Sequence, residues 1–379
     1  MTYLTVMQSP IYHQMTLDEL LFSNEVPDNL VIKNTANTRT YVIDEISEKY
    51  LERIDIEQII NKLAEFNASV ESLRNQPRQS LYREFMIPKR SGGKRVIDAP
   101  KPELMEALRR LKSILETDCG VLYHTSAFAY VKNRCAVDAV KRHQANESKW
   151  FGKFDLSNFF GSTTLEFVTK MFSMIFPLSE VVKRERGKTE LTKALDLAFL
   201  NGGLPQGTPI SPIITNVMMI PIDYRLSNSF RDFENQKFIY TRYADDFTIS
   251  SRYDFDINKV QNMIEDVLRE FNAPFSINKK KTRYGSSSGR NWNLGVMLTA
   301  DNRITVGHKK KRQMQAILAS YVMDRKNGNF WDKNEIQIMA GHLAYYKSVE
   351  GEEIDKMVAH VGNKFGVNIY GLIKEDLQS

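Results

Sequence analysis

Asp245 and Asp246, two adjacent carboxylates, interrupt an apolar strand pattern, and any fold of this chain must offset their repulsion. Apolar positions flank Ala244-Asp245-Asp246 on both sides over residues 238–250. That pattern reads as two short strands joined by a hairpin turn. Neighbouring like charges disfavour one another, and a tight turn crowds them further. Solvent can offset the cost, because Asp is common in turns. A divalent cation can do so too, since Mg²⁺ takes oxygen ligands and shares them with substrate phosphates. From this segment alone the two readings are even.

A third carboxylate shifts the balance. Residues 150–156 read as a strand with Asp155 near its end. A helix is expected over 163–175, with Leu165, Val168, Phe172 and Ile175 on its buried side. Thr163-x-x-Glu166 has the spacing of a capping box, so Asp155 is not needed as the cap. A strand-end Asp beside a hairpin bearing two more can hold two metal ions, about 3.5–4 Å apart in such sites. Asp155, Asp245 and Asp246 are therefore the expected metal ligands. Phosphoryl transfer asks for little beyond positioning and charge neutralisation.

The rest of the chain suggests what surrounds this site. Ile56, Ile59, Ile60, Leu63 and Phe66 recur at helical spacing within a mixed segment, 1–80. Residues 81–100 read as two strands joined at Ser91-Gly92-Gly93. Leu104, Leu108, Leu111 and Leu115 form a helical stripe that Gly120 can end. A strand is expected over 294–298, and helix after about residue 305. Strands and helices intermixed around a hairpin indicate an α+β core rather than a doubly wound sheet.

Bulk properties narrow the partners. With 379 residues, the chain can build one multi-lobed domain or two or three small ones. No run approaches eighteen uninterrupted apolar residues, so no membrane span is expected, and residues 1–15 carry no secretory pattern. Cys119 and Cys135 are too few for a disulfide framework or a cysteine-rich zinc site, which fits a cytoplasmic protein. Cys135 and His143 alone do not make a metal site. Net charge is +6, compatible with a polyanionic partner. Basic residues bunch at Lys89-Arg90 and Lys94-Arg95, at Lys279-Lys280-Lys281 with Arg283, and from His308 to Arg312. Each cluster alone suits a solvated face; three flanking one acidic site suit a nucleic acid.

The motifs together resemble those of reverse transcriptases. Tyr243-Ala244-Asp245-Asp246 is similar to the family's Tyr-x-Asp-Asp signature. Phe154-Asp155 through Phe159-Phe160 resembles the first catalytic motif, and Leu204-Pro205-Gln206-Gly207-Thr208-Pro209-Ile210-Ser211-Pro212 the Pro-Gln-Gly loop. Asn278 through Lys281-Thr282 resembles the lysine motif, Leu294-Gly295 the primer grip, and Gly93 through Pro100 the fingers motif. Six blocks in order, across about 82–300, are far more specific than one.

The resemblance implies a right-hand polymerase fold with fingers, a ferredoxin-like palm and a short helical thumb. Its expected divisions are an N-terminal extension over 1–80, fingers and palm over 81–300, and thumb over 301–379. It implies that Asp155 and Asp245 hold two Mg²⁺ ions, with Mn²⁺ an alternative and Asp246 a supporting ligand. Lys94 and Arg95 would hold the incoming triphosphate, and Gln206 and Gly207 would line the nucleotide pocket. Lys281 is a candidate general acid for the departing pyrophosphate; a plain phosphate contact is nearly as good a reading. Phe160 would exclude a 2′-OH, so that the product is DNA, although a core phenylalanine is the other reading and Phe159 takes that role more naturally. Tyr243 would pack beneath the primer end. Trp292, Leu294 and Gly295 would press on the primer backbone. Lys309, Lys310, Lys311 and Arg312 would grip phosphates without reading bases.

Within the family, the layout resembles bacterial retron enzymes and their defence-associated relatives, without a separate RNase H or HNH endonuclease. Asp138-Ala139 through His143, and Asn293-Leu294-Gly295, depart from the retron motifs at those places, which favours a non-retron defence enzyme. The expected partners are an RNA template, a nucleic-acid primer, deoxynucleoside triphosphates and a cognate non-coding RNA. A protein partner or a second copy is also open. Three other readings stand beside this one: an RNA-dependent RNA polymerase, against which Phe160 and Ala244 argue; a group II intron-like maturase; and an inactive palm kept as an RNA-binding scaffold, which the three retained carboxylates disfavour.

Overall fold

The computed structural model describes residues 30–35 and 38–43 as backbone, and residues 54–88, 92–231, 233, 236–287 and 295–378 in full. Lys89, Arg90, Trp292 and Leu294 lie outside the described residues. In chain order, β1 (Leu30–Thr35) and β2 (Thr38–Ile43) pair antiparallel. Helix α1 (Ile56–Ser69) follows, then the antiparallel hairpin of β3 (Tyr82–Pro88) and β4 (Lys94–Pro100). Helices α2 (Pro102–Ser113) and α3 (Ala136–Ala145) precede β5 (Trp150–Asp155). Next come α4 (Leu165–Phe172), α5 (Glu185–Asp196), α6 (Ser211–Met218) and α7 (Ile220–Arg231). Strands β6 (Phe238–Tyr243) and β7 (Asp246–Ser251) lead to α8 (Ile257–Glu270) and β8 (Arg283–Ser286). The short strands β9 (Met297–Leu298) and β10 (Ile304–Thr305) precede α9 (His308–Lys326), α10 (Lys333–Phe365) and α11 (Ile369–Gln378). The fold is α+β, with a four-stranded sheet in the order β6-β7-β5-β8.

The chain packs as two compact units. One comprises residues 1–135, 152–249 and 255–283; the other comprises 136–151, 250–254 and 284–379.

In the first unit, α1 forms where its apolar stripe was expected. Ile59, Ile60, Leu63 and Phe66 are each 2% exposed or less, and Asp55 caps the helix by accepting from the Gln58 N–H at 3.0 Å. Burying each such side chain contributes roughly 1.5–3 kcal/mol. The β3–β4 turn contains Gly92 and Gly93 at φ +86° and +79°, a region open to glycine at no steric cost. Helix α2 buries Leu104, Leu108 and Leu111 and runs on into a further turn that buries Leu115. That turn, a π turn over Ile114–Asp118, is closed by the Cys119 N–H on the Ile114 carbonyl at 3.0 Å, and Gly120 follows at φ +55°, as expected of the residue that ends the helix.

The cap of α4 also differs from expectation. Thr164, not Thr163, is the N-cap, accepting from the Phe167 N–H at 3.2 Å. The Thr163 hydroxyl donates back to the Phe159 carbonyl at 2.8 Å, closing the preceding short helix Phe159–Ser162. Adjacent threonines offer two caps, and the backbone of that short helix takes the first.

In the second unit, α9, α10 and α11 pack around Leu318, Tyr321, Val322, Ile336, Ile354 and Ile369. Helix α10 starts with a capping box of Asp332 and Glu335, ends at Gly366 with φ +67°, and breaks at Glu350. A second cluster joins Val140 of α3 to Phe151, Val296 and Leu298. His143 is fully buried beside it, its Nδ1 2.6 Å from the Ser250 hydroxyl, and burial then Arg142 push its pKa down to about 3. Cys135 is exposed. Among the described residues, no helix is long and apolar enough to cross a membrane.

Candidate active site

The acidic residues are brought together by the ends of two strands. Phe151 and Phe154 are fully buried in β5 and Leu156 is 2% exposed, so the apolar residues anchor the strand and leave Asp155 at its end. The Leu156 N–H donates to the Asp245 carbonyl at 3.1 Å. On the other side, the Asn278 N–H donates to the Asp155 carbonyl at 2.7 Å, and the Ser157 N–H to the Ser276 carbonyl at 2.8 Å. Asp155 thus sits on a backbone seam between the Asp245 turn and the segment that leads to Lys281. It caps no helix: Asn158, at φ +47°, precedes the short helix that follows.

The turn between β6 and β7 runs through Ala244 and Asp245, with Ala244 at φ +56°. A left-handed alanine is uncommon, and such a conformation persists where its surroundings fix it. Burial raises the Asp245 pKa to about 6, with Asp246 and then Asp155 adding to the shift. Those contributions place the three negative charges within electrostatic reach of one another.

Two lysines offset that charge. Lys281 Nζ donates to both Asp155 oxygens, at 2.9 and 3.0 Å. Lys153 Nζ donates to Asp246 Oδ2 at 2.7 Å. Among the described residues, no three acidic, histidine or cysteine side chains are arranged around a common point as a metal cage. The donor set nevertheless suits a hard divalent cation, because all three groups are carboxylates and their crowding raises Asp245. A cation entering here would relieve that crowding and compete with Lys281 for Asp155.

A loop after the short helix abuts this region. The Leu204 N–H donates to the Phe160 carbonyl at 2.9 Å, which ties the Pro-Gln-Gly segment to the candidate sugar gate. Phe159 is 2% exposed and meets Phe275 edge-on at 5.1 Å, while Phe160 is half-buried. The Ser211 hydroxyl donates to the Pro205 carbonyl at 2.9 Å, and the Ser211 N–H to Thr208 Oγ1 at 3.2 Å, which rounds the loop into the start of α6. The Asp98 N–H donates to the Gln206 carbonyl at 2.9 Å, joining β4 to the loop. Gly207 lies at φ +115°, where a Cβ would meet Ile97 Cγ2 at 2.7 Å and the Asp98 carbonyl oxygen at 3.1 Å. Lys94 and Arg95 stand exposed near the start of β4.

In the second unit, Gly295 lies at φ +91° and its carbonyl accepts from Lys310 Nζ at 2.6 Å. Lys311 Nζ donates to Glu350 Oε2 at 3.0 Å, and Glu350 Oε1 also accepts from the Thr305 hydroxyl and the Val306 N–H, both at 2.9 Å. Lys310 and Lys311 therefore anchor the start of α9, while Lys309 and Arg312 are exposed.

Several residues near the acidic turn escaped the sequence reading. Lys153 was accessible to it in principle, being a lone charge two positions before Asp155 and so on the same strand face. Tyr130 gave no signal. It lies at φ +57° and is 49% exposed; burial of its phenol, then Asp245 and Tyr243, raise its pKa, so it stands near the turn. Arg242, one position before Tyr243, is buried.

Comparisons with known proteins bear on this geometry. Residues 87–316 match the family described as reverse transcriptase (RNA-dependent DNA polymerase). The chain is 27% identical over 315 residues to the Retron Ec83 reverse transcriptase of Escherichia coli, covering 82% of this chain and 95% of that protein. It is 25% identical over 275 residues to the Retron Ec73 reverse transcriptase of Escherichia coli, covering 71% and 83%. It is 29% identical over 271 residues to the Retron Mx162 reverse transcriptase of Myxococcus xanthus, covering 65% of this chain and 53% of that longer protein. Among solved structures, telomerase from Candida albicans in complex with a TWJ fragment of telomeric RNA aligns with a TM-score of 0.46 at 14% identity, over 86% of this chain and 61% of that one.

Proposed function

This chain belongs to the reverse transcriptase family of RNA-directed DNA polymerases, and from that premise we propose that it copies a dedicated non-coding RNA into DNA at the Asp155–Asp245–Asp246 site. The observation that carries the reading is the seam at which the N–H of Leu156, the residue after Asp155, donates to the Asp245 carbonyl, which sets Asp155 and Asp245, 90 residues apart in sequence, side by side. In this reading α9–α11 form the thumb and the β3–β4 hairpin belongs to the fingers of a right-hand architecture.

Asp155 and Asp245 would hold two divalent ions, with Asp246 supporting them. Bound there, such ions would neutralise charge on the phosphates and lower the pKa of the attacking hydroxyl. Lys281 supplies a proton donor beside Asp155, suited to the departing pyrophosphate. Arg95 and Lys94 extend cationic side chains suited to the triphosphate, and Gly207 lets backbone approach the nucleotide closely. Phe160, half-buried, is read as the ring that would exclude a ribose 2′-OH. The exposed Lys309 and Arg312 suit phosphate contacts, which are salt-dependent and sequence-tolerant.

The likeness to retron reverse transcriptases leads us to read the template as a dedicated RNA, and we extend that reading to a cytoplasmic setting and a role in defence against phage. Purifying the protein from its native locus, without nuclease, and sequencing the nucleic acid that accompanies it tests this. One bound RNA together with DNA complementary to it is the expected result. Heterogeneous cellular RNA, with synthesis only on added primed templates, would instead indicate a general or maturase-like enzyme.

A further inference from the structure

Beneath the Asp245 turn lies a polar network that the reaction described above does not use. Arg242 and Asp223 are a fully buried ion pair, both side chains 0% exposed. Arg242 Nε donates to Asp223 Oδ1 at 2.8 Å and Nη2 to Oδ2 at 2.7 Å, a bidentate fork. Its remaining nitrogen, Nη1, donates to Asn216 Oδ1 at 3.0 Å and to the Ala244 carbonyl at 3.3 Å. The Tyr240 hydroxyl donates to Asp223 Oδ1 at 2.8 Å. The guanidinium is therefore shared among α7, α6 and the turn itself.

The backbone of Arg242 is pinned as well. Its N–H donates to the Ser126 carbonyl at 2.7 Å, and its carbonyl accepts from the Phe128 N–H at 2.9 Å. Asn216 Nδ2 donates to the Ala129 carbonyl at 2.6 Å, so the same asparagine holds both the arginine and the segment beside β6. Asn216 lies in α6, the helix that begins in the Pro-Gln-Gly loop.

An apolar trio of similar volume often serves stability as well as a buried ion pair, so stability is a weak reason for this one. The acceptor at Ala244 supplies another. Ala244 holds a left-handed backbone, which needs surroundings that fix it, and Asp245 is the next residue. We propose that Arg242, oriented by Asp223 and Asn216, is a positioning residue that fixes the Ala244 backbone and thereby aims the Asp245 carboxylate. The inference rests on the assignment of Asp245 as a metal ligand. Arg242 acts only through the turn and does not touch substrate.

Two variants test it. Arg242→Lys keeps a charge beside Asp223 but cannot reach Asp223, Asn216 and the Ala244 carbonyl together. Arg242→Met with Asp223→Leu and Tyr240→Phe removes the network and refills the space with apolar groups, which keeps a folded comparison available. In the folded variants kcat should fall by about tenfold to a hundredfold. KM for the deoxynucleotide and affinity for a primed RNA template should stay within about twofold, a difference small beside the effect on rate. Mn²⁺ titration of the protein alone should show weaker metal binding. A folded variant with wild-type kcat and metal affinity overturns the proposal, and so does one losing template affinity in step with rate. Wild-type activity and its loss in Asp245→Asn are checked separately, so failure of the site assignment cannot be mistaken for failure of this one.

Discussion

Lys281 closes on Asp155 with its ammonium 2.9 and 3.0 Å from the two carboxylate oxygens. The lysine is 62% exposed and the aspartate 12%, so the pair is a solvent-facing cap on a nearly buried acid. An exposed cap of this kind holds weakly and is readily displaced. Lys281→Ala should therefore bind Mn²⁺ several-fold more tightly in electron paramagnetic resonance titrations. The same variant should synthesise DNA about a hundredfold more slowly if Lys281 protonates the departing pyrophosphate as proposed. Unchanged metal affinity would mean that Lys281 does not compete for Asp155.

Asp245 supplies a pH test. Burial, Asp246 and Asp155 raise its pKa to about 6, above the ordinary 3.8. A raised acid binds its proton more tightly in the folded state than in the unfolded one. Ionising Asp245 therefore costs the metal-free protein stability as pH rises from about 4 through 6, and the full cost of this one group is present above 6. Asp245→Asn removes that cost, so at pH 7.5 in EDTA it should be more stable by up to about 3 kcal/mol. The gap should narrow toward pH 4.5 in thermal melts. Parallel pH profiles for the two proteins would contradict the electrostatic account.

Much of this site was legible in the chain. The strand on each side of Asp245 shows in its apolar pattern, and Asp155 stands out as a charge at a strand end. The lysine partners do not show. Lys281 lies 126 positions from Asp155, and Lys153 lies 93 from Asp246, so only the folded chain pairs them. Arg242, a charge within an apolar strand, was passed over, and its partners Asp223 and Asn216 come from two helices that periodicity alone does not orient. The α4 cap was misread because Thr163 and Thr164 are equally good by type, and the preceding short helix claims the first. The strand expected over 294–298 is seen only at Met297–Leu298, and Leu294 lies outside the described residues.

Gly207 tests the nucleotide loop. A Cβ there would stand 2.7 Å from Ile97 Cγ2 and 3.1 Å from the Asp98 carbonyl oxygen, on a backbone at φ +115°. Gly207→Ala should lower stability by about 1–3 kcal/mol and raise KM for deoxynucleotides, since the loop must move away from β4. Denaturant melts and steady-state kinetics read both. A variant with wild-type stability and KM would show that the loop tolerates displacement.

Phe160 tests sugar choice. Its neighbour Phe159 supplies the core contact with Phe275, so truncating Phe160 should spare the fold. Phe160→Ala should raise ribonucleotide incorporation relative to deoxynucleotide by at least about tenfold, as expected where a pocket excludes by volume. An unchanged preference in competition assays would move the gate elsewhere.

The most direct test is primer extension on an RNA template by the purified protein, with Mg²⁺ and deoxynucleotides, beside Asp155→Asn and Asp245→Asn. Extension by the wild type alone, with both variants still folded and still binding the primed template, is the predicted result. Extension by either variant, or none by the wild type with Mg²⁺ or Mn²⁺, would contradict the assignment of these carboxylates as the polymerising site.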